Sequence, residues 1–124
     1  MSELGKIHQF VISDDKKIMT WVTKAKNVEV NTEYVQQGII DHNNVFALLT
    51  FSDKTELLAV YNEHGEQLLE LMPPSGFVFS YLTTDHQGKV SVICSTEEYE
   101  SSGCDWFFDI DIEKKRLCKK GLSY

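Results

Sequence analysis

The sequence predicts an all-β fold, an antiparallel meander folded as a sandwich or a small barrel with blade-like hairpin units. Turn-forming residues recur at short intervals, for example at positions 41–44, 62–65 and 101–103. The short runs between these turns are rich in β-forming residues, a rhythm typical of antiparallel sheets rather than βαβ units. A chain of 124 residues fits one domain, and we expect residues 1–124 to form it.

The first strands are predicted over residues 6–12 and 17–22, which a short turn joins into a hairpin. Polarity then alternates from residue 28 to residue 34, with Val28 and Val30 on one face and Glu29 and Asn31 on the other. This period of two predicts a strand with one solvent-exposed face. A helical turn over residues 32–37 remains the alternative, because that segment also tolerates helix.

Two nearly continuous apolar runs, residues 45–49 and 57–61, predict central strands that are covered on both faces. The second run is followed by a turn-rich segment and then by residues 67–71, which makes this the clearest hairpin in the chain. A further hairpin is predicted between residues 107–112 and 116–119. Sequential pairing of neighbouring strands therefore dominates.

Residues 44–71 and 88–120 are weakly alike, since each has an apolar strand after a turn, a second strand and a hairpin return. This pattern is similar to the four-stranded blades of β-propellers, which take about 40 to 50 residues each. The chain supplies fewer than three such blades, and a closed propeller needs at least about four. A folded meander is therefore preferred, and an oligomer that completes a propeller is the alternative.

Several classes of function are disfavoured by what the sequence lacks. The longest apolar run, residues 45–49, is far too short for a membrane-spanning helix. The first residues carry no secretory signal pattern, so we expect a cytoplasmic protein. The three cysteines, Cys94, Cys104 and Cys118, are an odd and widely spaced set, so we expect reduced thiols and neither a disulfide framework nor a zinc site. With no catalytic or cofactor motif, we expect no enzyme, no cofactor and no metal.

Negative charge is concentrated in one part of the chain. The net charge is −7, and the segment from Asp85 to Glu113 holds eight acidic residues and one basic residue, while the rest of the chain is balanced. Such an acidic excess disfavours a nucleic-acid partner. Its concentration in one segment is typical of an electrostatic binding surface.

A strand within this segment separates its charges from its apolar side chains. Trp106, Phe108, Ile110 and Ile112 alternate with acidic positions, so one face enters the core and the other carries carboxylates around one aromatic ring. The preceding acidic loop adds a second aromatic residue. The candidate partner-binding residues are Glu97, Glu98, Tyr99, Glu100, Asp105, Phe107, Asp109, Asp111 and Glu113.

Two interpretations of this acidic strand stay open. It is a docking surface for a cationic protein, in which complementary charge speeds association and aromatic residues act as anchors. Alternatively, it is a solvated edge strand whose charges prevent pairing with other molecules. A different function would use Phe77, Phe79 and Tyr81, which alternate on one face beside the turn at residues 73–76, in a small-molecule or carbohydrate-binding module or a subunit of a larger assembly.

A short, acidic, single-domain chain without catalytic motifs, with an acidic and aromatic surface at residues 97–100 and 105–113, resembles the small immunity proteins of bacterial toxin–immunity systems, including contact-dependent growth inhibition. The resemblance is one of class and carries no family residues over. It implies a non-enzymatic inhibitor that binds a cognate toxin domain. That toxin would often be a cationic nuclease whose active site or substrate surface becomes covered.

Overall fold

Eleven strands and no helix make up the described part of this computed structural model, which covers residues 7–24, 26–85, 87–96 and 105–123. The strands form three antiparallel sheets, in each of which strands that follow one another along the chain are paired. The all-β antiparallel prediction is therefore confirmed. The small-barrel alternative is wrong, because closure requires pairing between the first and last strands of a sheet. Instead, the chain leaves each sheet after three or four strands and begins another.

The strand bounds follow the predicted hairpins closely. The first sheet contains β1 (His8–Ile12), β2 (Ile18–Thr23) and β3 (Lys26–Asn31). The middle sheet contains β4 (Val35–Ile40), β5 (Asn44–Thr50), β6 (Glu56–Asn62) and β7 (Gln67–Leu71). The third sheet contains β8 (Phe77–Thr84), β9 (Val90–Thr96), β10 (Asp105–Asp111) and β11 (Arg116–Ser123). The three predicted hairpins are β1–β2, β6–β7 and β10–β11, and all three are confirmed.

The strand predicted over residues 28–34 is too long, and the helical alternative over residues 32–37 is wrong. β3 ends at Asn31 and β4 begins at Val35. The backbone N–H groups of Thr32 and Val35 donate to the carbonyls of Lys17 and Lys16, at 2.8 and 2.7 Å. These bonds fasten the link to the turn between β1 and β2, so the chain changes sheet there although its polarity still alternates.

The middle sheet is buried on both faces, as its apolar runs predicted. On β5, Phe46 and Leu48 enter a core cluster shared with the third sheet. Their neighbours Val45 and Ala47 enter a second cluster, shared with the first sheet. The first sheet is also tied to the middle one by a hydrogen bond of 2.8 Å from the Trp21 indole N–H to a backbone carbonyl in the β6–β7 turn. The three sheets therefore stack, and the outer face of the third sheet carries no further sheet within the described residues.

The weak likeness between residues 44–71 and 88–120 corresponds to a shared topology. The first segment spans β5, β6 and β7, and the second spans β9, β10 and β11. Each segment thus supplies the last three strands of a four-stranded meander. The first strands of these two sheets, β4 and β8, also share a feature, since each has a bulge in its pairing with the next strand.

Candidate functional site

The acidic strand lies inside the third sheet. β10 is hydrogen-bonded to β9 on one side and to β11 on the other. Phe108 and Ile110 point inward and are buried, whereas Phe107 and the intervening aspartates lie on the outer face. The predicted separation of faces is therefore confirmed. The edge-strand interpretation is wrong, because the backbone of β10 has a partner on each side and its carboxylates protect no free edge.

The predicted partner-binding residues divide into three groups. Asp105, Phe107, Asp109 and Asp111 share the outer face of β10. Glu113 does not continue that face, because the strand ends at Asp111 and residues 112–115 form a turn. The remaining predicted residues, which are Glu97, Glu98, Tyr99 and Glu100, lie outside the described residues, as does Cys104.

The carboxylates of β10 are neutralised within the protein itself. Oδ2 of Asp109 lies 3.4 Å from the ammonium of Lys89 and 3.4 Å from that of Lys120. Oδ2 of Asp111 lies 3.8 Å from Nε of Arg116. Successive carboxylates on one strand face are about 7 Å apart and repel one another. These cations offset that repulsion, so the described part of the outer face is much closer to neutral than the sequence of β10 alone indicates.

Asp105 has a neutral partner. Its Oδ1 accepts a hydrogen bond of 2.7 Å from the hydroxyl of Ser95, which lies opposite it on β9. Each aspartate of β10 is therefore engaged by a side chain of a neighbouring strand or of the turn between β8 and β9. A shallow depression of about 390 Å³ lies beside Asp109 and includes Lys89, Lys120 and Cys118 in its lining.

Aromatic side chains dominate the centre of the outer face. Ile93 on β9 is paired with Phe107 on one side and with Tyr81 on the other, so the three side chains form one row across the sheet. Ile93 is fully buried, while Phe107 is 36% exposed and Tyr81 is 43% exposed. Neither core cluster contains Ile93. The two aromatic residues thus flank a fully buried isoleucine that belongs to neither of the two core clusters. We call this row of three the aromatic row.

The sequence placed Tyr81 on the wrong face. Phe77, Phe79 and Tyr81 were expected to alternate on one face, but the pairing of β8 with β9 shifts by one residue between Phe79 and Tyr81. A bulge of this kind reverses the faces of all residues beyond it. Tyr81 consequently points outward, and Leu82 takes the inward position and is buried.

The other two aromatic residues of that set belong to the interior. Phe79 is buried in the core, and Phe77 packs edge-to-face against Phe108 with ring centroids 5.3 Å apart. The ammonium of Lys119 lies 3.9 Å from the centroid of the Trp106 ring and 5.7 Å from that of Phe77. Phe79 is therefore part of the core, whereas Phe77 both packs inside the chain and lines a depression of about 420 Å³ beside the turn at residues 73–76.

The described residues hold no group of three or more His, Cys, Asp or Glu side chains that could bind a metal ion. The thiol of Cys94 is buried between the sheets, and burial, with a smaller contribution from the Glu56 carboxylate, raises its pKa to about 12. A thiol with so high a pKa is protonated at neutral pH and is a poor nucleophile. Among the described residues, no helix is long and apolar enough to cross a membrane.

Comparison with known proteins gives no family assignment. No family model, no curated protein and no solved structure matches this chain. The aromatic row and the charged groups around it are therefore the features of the chain that bear on its function.

Proposed function

We propose that this protein is a non-enzymatic, cytoplasmic inhibitor of the immunity type, which binds a cognate toxin protein through the outer face of its third sheet. The observation that carries the proposal is the aromatic row, in which Tyr81 and Phe107 are exposed around Ile93. Protein interfaces are enriched in aromatic anchors that are surrounded by polar and charged side chains. The aspartates, lysines and arginine next to the row provide such a rim.

Charge and aromatic contact contribute differently in this proposal. The net charge of −7 attracts a basic toxin over a distance and raises the rate of encounter. At the contact itself, a cation of the toxin would compete with Lys89 and Lys120 for Asp109. That exchange replaces one ion pair by another, so it adds little affinity. The affinity would come from burying the rings of Tyr81 and Phe107 against the toxin.

Co-expression with the product of the neighbouring gene tests the proposal. We expect a stoichiometric complex with a basic partner that is toxic when it is expressed alone. Tyr81→Ala and Phe107→Ala should each weaken binding about tenfold or more, as is usual for a buried aromatic anchor. Tyr34→Ala is the matched control, because Tyr34 is also 43% exposed but lies in the link between β3 and β4.

The control separates interface residues from exposed tyrosines in general. If Tyr34→Ala weakens binding as much as Tyr81→Ala does, the binding surface is not the outer face of the third sheet. If the neighbouring protein is harmless and does not copurify at low or high salt, the immunity proposal is wrong.

A groove on the outer face of the first sheet favours a second candidate function, binding of a small polar molecule. The groove has a volume of about 830 Å³. Its lining combines polar and aliphatic side chains, among them Gln9, Val11, Thr20, Val22, Asn27 and Glu29. A thermal-shift screen with sugars and metabolites tests this candidate. A stabilising compound that no longer acts on Asn27→Ala would support it, and a screen without any shift would contradict it.

A further inference from the structure

We infer that Gln37, a residue of the middle sheet, is the positioning residue that turns Tyr81 outward into the aromatic row. The inference rests on the proposed function for its biological meaning, but its structural content needs no partner. The Gln37 side-chain amide makes two hydrogen bonds with the backbone of Leu82. Its Oε1 accepts from the Leu82 N–H at 2.6 Å, and its Nε2 donates to the Leu82 carbonyl at 2.9 Å.

Leu82 is the first inward-facing residue after the bulge in β8. Before the bulge, Phe77 and Phe79 point inward, and simple alternation would place Tyr81 inward as well. Ser80 is the extra residue, so both Ser80 and Tyr81 are exposed and Leu82 is buried. The position of Tyr81 is therefore decided by whichever contacts hold Leu82 in its inward register.

The sheet itself does not supply those contacts on the free side of β8. Among the described strands, β8 lies at the edge of its sheet and pairs with β9 alone, so alternate backbone groups of β8 face away from β9 and need other partners. The Gln37 amide takes the place of a neighbouring strand at Leu82, because it offers one donor and one acceptor. On the other side of the bulge, Oε1 of Glu56 accepts a hydrogen bond of 3.2 Å from the Phe79 N–H. Two middle-sheet side chains thus bracket the bulge.

We expect both hydrogen bonds to be needed to hold Leu82 in its inward register. Gln37→Leu removes both and leaves the Leu82 N–H and carbonyl without these partners. Gln37→Glu has nearly the same shape, but at neutral pH its carboxylate can only accept. It keeps the bond from the Leu82 N–H and places negative charge against the Leu82 carbonyl. Below about pH 4 the protonated carboxyl both donates and accepts, so it reproduces the amide.

The test uses nuclear magnetic resonance on the whole chain without a partner. The readouts are the contact between the Tyr81 ring and the Ile93 methyl groups and the hydrogen-exchange rate of the Leu82 amide. In Gln37→Leu we expect the ring contact to be lost and the Leu82 amide to exchange about tenfold faster or more, the factor expected for loss of one hydrogen bond. Gln36→Leu is the matched control, because Gln36 is the exposed neighbour on the same strand.

Gln37→Glu keeps the inference falsifiable if the leucine variant does not fold. We expect Gln37→Glu to lose the Tyr81–Ile93 contact at neutral pH and to recover it at about pH 4, where the carboxyl is half protonated or more. The wild type is measured at both pH values for comparison. A merely space-filling role for Gln37 would give no such recovery.

The inference is overturned if Tyr81 keeps its contact with Ile93 in Gln37→Leu, or if Gln37→Glu behaves identically at both pH values. Either result concerns only the register of β8. Failure of the proposed function would show itself differently, as a protein with an intact aromatic row that binds no toxin.

Discussion

Replacing Asp109 by asparagine tests whether ion pairing or like-charge repulsion governs the outer face of the third sheet. The two ammonium groups at 3.4 Å from Oδ2 attract the carboxylate by about 2.4 kcal/mol in total in a medium with the dielectric constant of water. The neighbouring carboxylates of Asp105 and Asp111, about 7 Å away along the strand, repel it by about 1.2 kcal/mol in total in the same medium. Attraction therefore exceeds repulsion about twofold, and the substitution should destabilise the protein.

The expected loss is smaller than the Coulomb difference of about 1.2 kcal/mol, because Lys89 and Lys120 are more than half exposed and must be ordered to form the pairs. A loss of about 0.5–1 kcal/mol in the free energy of unfolding is consistent with exposed ion pairs. Urea unfolding at low salt measures it. The difference should shrink at about 1 M salt, where the screening length falls to about 3 Å.

Asp111→Asn serves as the control for this prediction. Asp111 has one cationic partner at 3.8 Å rather than two at 3.4 Å, so its loss should be about half as large or less. The reasoning is refuted if Asp109→Asn stabilises the protein at low salt. Such a result would mean that repulsion between the carboxylates of β10 exceeds their attraction to the lysines. The carboxylates would then be available to bind a cation from another molecule.

Three further predictions concern stability and reactivity. Gly65→Ala should lower the free energy of unfolding by about 2 kcal/mol or more, because Gly65 has φ +88° and an added Cβ would lie 2.7 Å from Cγ1 of Val28. An unchanged midpoint of urea unfolding would contradict this prediction. Leu58→Ala, at a fully buried position of the middle sheet, should cost about 2–5 kcal/mol in the same assay. Iodoacetamide should alkylate Cys118 in the native protein and Cys94 only after unfolding, because burial raises the pKa of Cys94 to about 12. If mass spectrometry finds alkylated Cys94 in protein that was treated in its native state, this prediction is wrong.

Local patterns predicted the parts of the fold that local forces decide. Alternation and turn residues located the hairpins, because the side-chain period of a strand and the conformations of a turn are properties of a few adjacent residues. The continuous apolar run at residues 45–49 correctly indicated burial on both faces, since each face of β5 packs against a different sheet. The separation of Phe107 from Phe108 followed from the same alternation.

The errors occur where distant residues decide the local structure. The direction of Tyr81 depends on a bulge that Gln37, 45 residues away from Leu82 in sequence, holds in place. The end of β3 depends on hydrogen bonds from Thr32 and Val35 to the first turn. The sequence of β8 or β3 alone does not show where the bulge lies or where the strand ends. Hydrogen bonds from residues that are distant in sequence decide both, and the polarity pattern of the strand is the same with or without them.

The charge of the outer face also depends on residues outside β10, and this affects how a partner would bind there. The sequence of β10 indicates an acidic face. However, Lys120 on β11 and Lys89 in the turn between β8 and β9 neutralise much of its charge. Long-range attraction depends on net charge, whereas the lifetime of a complex depends on desolvated contacts. Truncating Phe107 or Tyr81 should therefore raise the dissociation rate of a toxin complex, and Asp105→Asn should mainly lower its association rate. The reverse pattern would show that carboxylates, rather than the aromatic row, hold the partner.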